Sequence, residues 1–478
     1  MITAERMAAV DRNAAALGVP RKQLMESSGN AVARTVRSVA AEGAAIAIVA
    51  GRGNNGGDAF VAARFLDGFD VRIYLLGRPA TITTDIAREN WEALQTAAYD
   101  TTVITDSSDF DFDDPDVIVD GMLGTGITGE LREPIRTAAE RINATDATVV
   151  AVDVPSGVNA DTGQAAGTAV EADRVVTFHD MKPGLADRAD VTVADIGIPP
   201  AAERFVGPGD LLGLDRGADS HKGAFGRVYV IGGGPYTGAP ALTAQAALRG
   251  GADLAYVACP DAIADRVQGY TADLIVEPFA GDRLTLDNVD PLVETAADRD
   301  ITVLGPGLGE AGPTIDAVRR FLETAEGRVI VDADALQAVP DVDTAATLIC
   351  TPHQGELREM GGPSAEDWSE RATAVETFAR DLGHTLLVKG RYDVISDGTT
   401  TRVNRTGNPG MTVGGTGDVL AGVTAAMACR RSPVEAAAIG AYVNGAAGDA
   451  VVAEQGYGLV ASDLLSVLPS TIRGETDE

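Results

Sequence analysis

Three glycine-rich loops in the first third of the chain each follow an apolar run and each carry a hard oxygen donor. They are GRGNNGGD (51–58) with Asn55, DGMLGTGITGE (120–130) with Asp120, and DVPSG (153–157) with Ser156. In an open parallel sheet, ligands bind beyond the carboxyl ends of the strands, where loops of this kind lie. No Cys or His stands among the three, which argues against zinc or iron. One carboxylate with neutral oxygens suits a monovalent cation better than calcium, which gathers more charge. Backbone N–H groups over Gly124–Gly129 offer a cradle for a pyrophosphate. Asp153, at a strand tip facing the same crevice, is the candidate proton carrier. The plainer reading is that Asp120 and Asp153 only cap the loops that follow them.

The first loop has the spacing G-x-G-x-x-G at Gly51, Gly53 and Gly56. A redox dinucleotide site would also need a carboxylate about 20 residues on, at the end of the next strand. That strand, DVRIYLLG, runs into Gly77 and Arg78 instead. In the second half, no lysine follows a glycine, so a Walker P-loop is excluded. The turn NRTGNPGMTVGGTGDVLAG (404–422) supplies phosphate-binding chemistry by another route. Its N–H groups around Gly414–Gly417 point at an anion from a helix start, and Asp418 is placed to take a proton from a hydroxyl. As an isolated acid, Asp418 would be a simple cap.

Positioning these loops requires strands. In the first half AIAIVAG, VRIYLLG, VIVDGMLG, VVAVDVPSG, RVVTFHD and VTVADIGIP alternate with alanine-rich helical stretches, after two helices over residues 1–40. The pattern restarts with GRVYVIGGG, LAYVACP, ITVLGPGLG, RVIVDADAL, TLICTP and TLLVKGRYDVI, and closes on a small-residue helical region over about 418–455. This rhythm predicts two α/β domains with mostly parallel sheets covered on both faces. The boundary is expected near 208, giving domains 1–208 and 209–478.

The 70 acidic residues against 38 basic ones give a net charge of −32. That balance argues against nucleic-acid binding, which needs clustered basic residues. Acids spread along the whole chain fit adaptation to high intracellular salt, or an ordinary acidic cytosolic enzyme. Only Lys22, Lys182, Lys222 and Lys389 are lysines; among so many arginines, Lys222 and Lys389 gain weight as positions where a compact ammonium is required. Three scattered cysteines indicate a reducing compartment. With no apolar signal core and no run near the roughly 20 apolar residues of a membrane span, the expectation is a cytoplasmic protein that contacts no membrane, with a homo-oligomer as its assembly.

GRGNNGGDAFVAAR, DGMLGTG and VAVDVPSGV, together with MAAVDRNAAALGVPRKQLMESSGNAVAR upstream, resemble the NAD(P)H-hydrate epimerase family. That family forms the N-terminal half of bifunctional nicotinamide-nucleotide repair enzymes. It usually has glycine where this chain has Ala59. The resemblance implies a Rossmann-like three-layer domain in which Asn55, Asp120 and Ser156 hold a potassium ion. It implies a hydrated dinucleotide bound by Asn54, Asn55, Gly56, Gly57 and Asp58, by Gly124, Thr125, Gly126, Ile127, Thr128, Gly129 and Glu130, and by Asp153 as catalytic residue.

GNPGMTVGGTGDVLAG resembles the ribokinase-like superfamily, and within it the ADP/ATP-dependent NAD(P)H-hydrate dehydratases. HKGAFGRVYVIGG (221–233), YTGAPALTAQAALRGGA (236–252), GPGLG (305–309), DADAL (332–336), TPHQGE (351–356) and VKGRYDVI (388–395) agree; Gln354 stands where proline is usual. This resemblance implies a ribokinase-like α/β domain with nucleotide at Lys389, Gly390, Arg391, Tyr392, Asp393 and Gly417. The hydrate would lie against Ala239, Gly307, His353 and Asp418, the last as base. The bland reading of His353 is a hydrogen-bonded loop residue. The implied activity is epimerisation of R and S hydrates of NADH and NADPH in the first domain. In the second, ADP with Mg2+ phosphorylates the S hydrate and phosphate elimination restores the dinucleotide, leaving AMP. A vitamin or sugar kinase, and a first half that only binds, are the competing readings.

Overall fold

Most of the apolar runs become strands buried on both faces, as parallel sheets require. The computed structural model describes residues 1–126, 129–217 and 219–474. It divides into Met1–Ala202 and Glu203–Glu478.

The first unit holds β1 (Ala45–Ala50), β2 (Asp70–Leu76), β3 (Asp100–Ile104), β4 (Val117–Gly121), β5 (Thr148–Val152), β6 (Arg174–Phe178) and β7 (Val191–Ala194). All pair in parallel in the order β3-β2-β1-β4-β5-β6-β7. The order reverses between β1 and β4, which opens a crevice at their carboxyl ends. Helices Ala4–Ala16 and Arg21–Val39 precede β1, as expected. Strand β3, DTTVI, was not expected: it is a largely exposed edge with no apolar run to announce it.

The second unit holds β8 (Arg227–Ile231), β9 (Leu254–Pro260), β10 (Ile275–Phe279), β11 (Ile301–Leu304), β12 (Arg328–Val331), β13 (Thr347–Cys350), β14 (Thr385–Val388), β15 (Asp393–Ser396) and β16 (Thr401–Asn404). Their order is β10-β9-β8-β11-β12-β13-β14-β15-β16, with a reversal between β8 and β11. Strands β14, β15 and β16 pair antiparallel, because TLLVKGRYDVI folds back on itself between Val388 and Asp393.

The small-residue region is two helices, Thr416–Ala428 and Pro433–Gln455, rather than one. Their glycines let backbones meet. A Cβ on Gly422 would lie 2.1 Å from the carbonyl oxygen of Thr243, and one on Gly440 would lie 2.3 Å from Thr424 Oγ1. Pro433–Gln455 is long and apolar enough to cross a membrane by length and composition, contrary to the sequence reading, and 67% of its apolar window is buried within the fold.

The division falls at Ala202 rather than near residue 208. Residues 203–208 go with the second unit because the Val206 N–H donates to Val403 O (3.0 Å) and the Phe205 ring lies 5.5 Å from that of Trp368. A fragment starting at 203 should therefore melt above one starting at 209, by about 2 °C for roughly 1 kcal/mol of lost burial. Thermal melts of the two fragments that superimpose would show that the segment contributes nothing.

Candidate active sites

The crevice between β1 and β4 receives helix Asn54–Arg64, which starts inside the first glycine loop. Its entry is tight: a Cβ on Gly56 would stand 2.2 Å from Gly51 O. Ala59 is fully buried, and its methyl is accommodated because Gly121 faces it without a side chain.

Asn55, Asp120 and Ser156 come together beneath these loops. Asn55 Nδ2 donates to Leu123 O (2.9 Å) and Val152 O (3.1 Å), which commits the amide and leaves its oxygen available. Asp120 accepts from Ser156 Oγ (2.6 Å), Ser156 N (2.8 Å) and Met122 N (3.2 Å). Asp120 and Ser156 are fully buried. Burial pushes the Asp120 carboxyl up to about 6, against those hydrogen bonds. No cationic side chain pairs with it among the described residues. Both Asp120 and Ser156 do bind loop N–H groups, so capping is part of their role.

Gly124, Gly129, Gly157 and Asn159 line a neighbouring cavity of about 190 Å3. Asn54, Gly126 and Glu130 are exposed and Thr125 half-buried, while Gly57 and Asp58 turn inward. Ile127 and Thr128 lie outside the described residues.

Asp153 and His179 end the neighbouring strands β5 and β6 with left-handed backbones, at φ 64° and 69°. Each such non-glycine residue costs on the order of 1–3 kcal/mol and is held there by its surroundings. Asp153 accepts from Thr177 Oγ1 (3.0 Å) and forms an ion pair with Lys182 Nζ at 3.1 Å. The Lys182 side chain is fully buried, and its ammonium also donates to Phe178 O (2.8 Å). Asp58 is held well above the ordinary carboxylate range by burial first, then by Asp153 and Asp11. Sequence reasoning missed Lys182 and Asp11. The scarcity of lysine was the available signal for Lys182, but it was spent on Lys222, which is exposed and makes no ion pair among the described residues.

In the second unit, helix Thr416–Ala428 starts from Gly415, at φ 98°. Asp418 stands in its first turn without accepting a hydrogen bond from any described residue, so it is not a cap. Burial pushes its carboxyl up to about 7, with Asp332 adding to the push and Lys389 pulling against it. Lys389 Nζ lies 3.2 Å from Asp332 Oδ1 and 3.7 Å from Glu356 Oε2. Against burial, these two carboxylates hold its ammonium up. Thr351 Oγ1 donates to Asp332 at 2.6 Å. Gly417 is beside Lys389: its Cβ would be 3.5 Å from Nζ. Asp332 and Glu356, inside DADAL and TPHQGE, were not singled out individually from sequence.

The hairpin turn between β14 and β15 carries Gly390, Arg391 and Tyr392. Asp393 closes it by accepting from Gly390 N (2.9 Å) and Asn404 Nδ2 (3.0 Å). Burial pushes its carboxyl up to about 6. Tyr392 lies 6.0 Å from the Trp368 ring and 5.6 Å from the Arg391 guanidinium. Ala239 and Gly307 meet each other, a Cβ on Gly307 standing 3.3 Å from that of Ala239. His353 caps helix Gln354–Glu359, its Nδ1 accepting from Gly355 N (2.9 Å) and Glu356 N (3.0 Å). The bland reading therefore holds for Nδ1, and Nε2 lies 3.5 Å from Glu356 Oε1. Gln354 occupies the first helical position, where proline is favoured but not required.

These two constellations can be set against known proteins. Residues 21–184 match the family model described as YjeF-related protein N-terminus, and residues 228–470 match that of NAD(P)H-hydrate dehydratase. A Bifunctional NAD(P)H-hydrate repair enzyme Nnr of Pyrobaculum aerophilum is 46% identical, covering 99% of this chain and 98% of its own. The chain belongs to the bifunctional NAD(P)H-hydrate repair enzyme family. Its counterpart of the same name in Methanothermobacter thermautotrophicus is 43% identical over 98% of this chain and 94% of its own. The Bacillus subtilis ADP/ATP-dependent NAD(P)H-hydrate dehydratase, co-crystallised with ATP/Mg2+, is 27% identical with a TM-score of 0.47. The match covers 54% of this chain and 93% of that one. Both halves of a bifunctional repair enzyme are thus represented in one chain.

Proposed function

We propose that this chain repairs hydrated NADH and NADPH, the first unit interconverting R and S hydrates and the second dehydrating the S hydrate with ADP. The observation that carries the reading is Asp418: a half-buried carboxylate at a glycine-rich helix start, accepting no hydrogen bond, beside Lys389. It takes the proton of the substrate hydroxyl as that oxygen attacks the terminal phosphoryl group of ADP, whose displacement leaves AMP. N–H groups at Gly414–Gly417 stabilise the charge on the transferring group. Loss of phosphate then restores the ring double bond. Asp332 and Glu356, now paired with Lys389, are the carboxylates that would offer oxygens to a Mg2+ brought in with the nucleotide, and that ion would neutralise phosphate charge. Incubating the protein with mixed hydrates and ADP tests this. Dihydronicotinamide absorbance should return with one phosphate and one AMP per dinucleotide; a stable phosphorylated product would instead indicate a kinase.

In the first unit, Asp153 exchanges protons at the hydroxyl-bearing carbon, and Asn55, Asp120 and Ser156 hold potassium. The buried, cation-free Asp120 fits a monovalent ion, which would neutralise it and order the three loops. Asp120 is ordinarily ionised above 3.8 and here only above about 6. Its ionised form therefore costs the ion-free fold about 3 kcal/mol at pH 7.5. The two tryptophans, Trp91 and Trp368, fall one in each unit, so a Trp368→Phe background reports melting of the first unit alone. Potassium should raise that melting temperature above its value in a large organic cation, and Asp120→Asn should abolish the difference. An equal potassium response in both proteins would remove the ion from Asp120.

A further inference from the structure

Epimerisation through Asp153, the reading on which this inference rests, does not by itself say which carboxylate oxygen meets the hydrate. The hydrogen bonds at the tips of β5 and β6 tell the two apart. Asp153 Oδ1 accepts from Thr177 Oγ1 at 3.0 Å and from Phe178 N at 3.4 Å, and lies 3.1 Å from Lys182 Nζ. All three donors belong to one stretch, the end of β6 and the turn after it. Asp153 Oδ2 accepts from no described residue, and 13% of the side chain stays exposed.

The surroundings keep that division in place. The Asp153 N–H extends the ladder by donating to Val176 O at 2.8 Å. Thr177 is fully buried, and a β-branched side chain is stiff at its first torsion. The buried Lys182 ammonium shares its three protons among Phe178 O (2.8 Å), Asp180 O (3.4 Å) and Asp153 Oδ1. The terminal torsion of an aspartate is broad, so these donors rather than any rotamer preference set the plane of the carboxylate. A carboxylate oxygen offers about two lone-pair sites. With three donors around it, Oδ1 has no room for a further proton.

We propose that Oδ2 is the proton-exchanging atom of the first unit, and that Thr177 is a positioning residue that holds Oδ1 together with Lys182 and so aims Oδ2 at the hydrate. In either direction of transfer one O–H bond forms as another breaks, at Oδ2 and at the hydroxyl oxygen of the hydrate. Thr177 is the better position to test, because it bears no charge. Removing its hydroxyl leaves the ion pair and the Phe178 N–H in place.

The experiment measures kcat and KM for conversion of R to S hydrate by chiral chromatography. It uses the full chain in the Trp368→Phe background, where Trp91 fluorescence reports that the first unit is folded, and compares Thr177→Val with Thr177→Ser. The Val variant, close in shape but without the donor, should lose about 10²-fold in kcat with KM within threefold, the effect of a misplacement of about 1 Å. The Ser variant, which restores the donor, should stay within tenfold of the parent. A Val variant that loses less than tenfold in kcat, a loss carried by KM instead, or a Ser variant as slow as Val overturns the assignment. Should Thr177→Val fail to fold, Thr177→Ala replaces it, since Ser and Ala differ by the hydroxyl alone. A gap of tenfold or more between those two supports the role, and a smaller one refutes it. A parent that converts no hydrate overturns the epimerase reading, and an Asp153→Asn variant at the parental rate overturns the choice of Asp153; either result removes this inference as well.

Discussion

Asp418→Asn abolishes dehydration, lowering it by about 10²–10⁴-fold, and leaves epimerisation at the parental rate. The substitution preserves shape and removes only the ability to accept a proton. Because a base must be ionised, the parent's dehydration rate should climb as pH rises through about 7 and level off above it. The same carboxyl sets a stability effect of opposite benefit. Its folded value lies above its ordinary 3.8, so the fold binds the proton more tightly than the unfolded chain does. Stability is therefore lost as pH rises from 3.8 towards 7. The Asn variant should melt together with the parent near pH 4 and above it at pH 8. Dihydronicotinamide absorbance and melts at both pH values check this. Parental dehydration in the Asn variant would reduce Asp418 to a bystander.

Lys182→Met should be the most damaging single change in the first unit. Removing one partner of a buried ion pair leaves an uncompensated charge and typically costs about 3–5 kcal/mol. Asp11 and Asp58 add to that cost, since both couple unfavourably to the Asp153 charge. For a unit of this size it corresponds to a loss of about 6–20 °C in melting temperature, with epimerisation lost as well. Thermal melts in the Trp368→Phe background isolate the effect. Adding Asp153→Asn to Lys182→Met should restore part of the stability and none of the activity, because the pair rather than either residue balances the site. If the single variant melts within about 2 °C of the parent, equivalent to less than 1 kcal/mol, the ion pair is incidental.

The strands that build both crevices were legible because they are buried on two faces and read as continuous apolar runs. Strands β3, β10 and β16 were not. DTTVI is mostly exposed, IVEPF carries a proline and little burial, and TRVN is too short and polar to stand out. The glycine loops were legible because close backbone approach permits few other residues. Lys182 was hidden because it lies past the end of a strand, in HDMKPGL, with no glycine turn to mark it. Asp11 was hidden for the opposite reason. In an alanine-rich helix an isolated acid reads as a solvated face, and its coupling to Asp153 and Lys182 comes only from the tertiary fold.

The close-packed helices behind the Asp418 turn have a consequence for how tolerance to mutation is read. Gly422 and Gly440 touch neither proposed substrate nor nucleotide, yet neither position has room for a single methyl group unless backbone or side chain shifts. In a saturation scan scored by growth or by activity, these sites should be as intolerant as Asp418. Scored by soluble yield they should separate, since the glycine variants lose folded protein whereas Asp418→Asn loses only turnover. A map of intolerance alone would thus enlarge the apparent active site by the thickness of a helix layer.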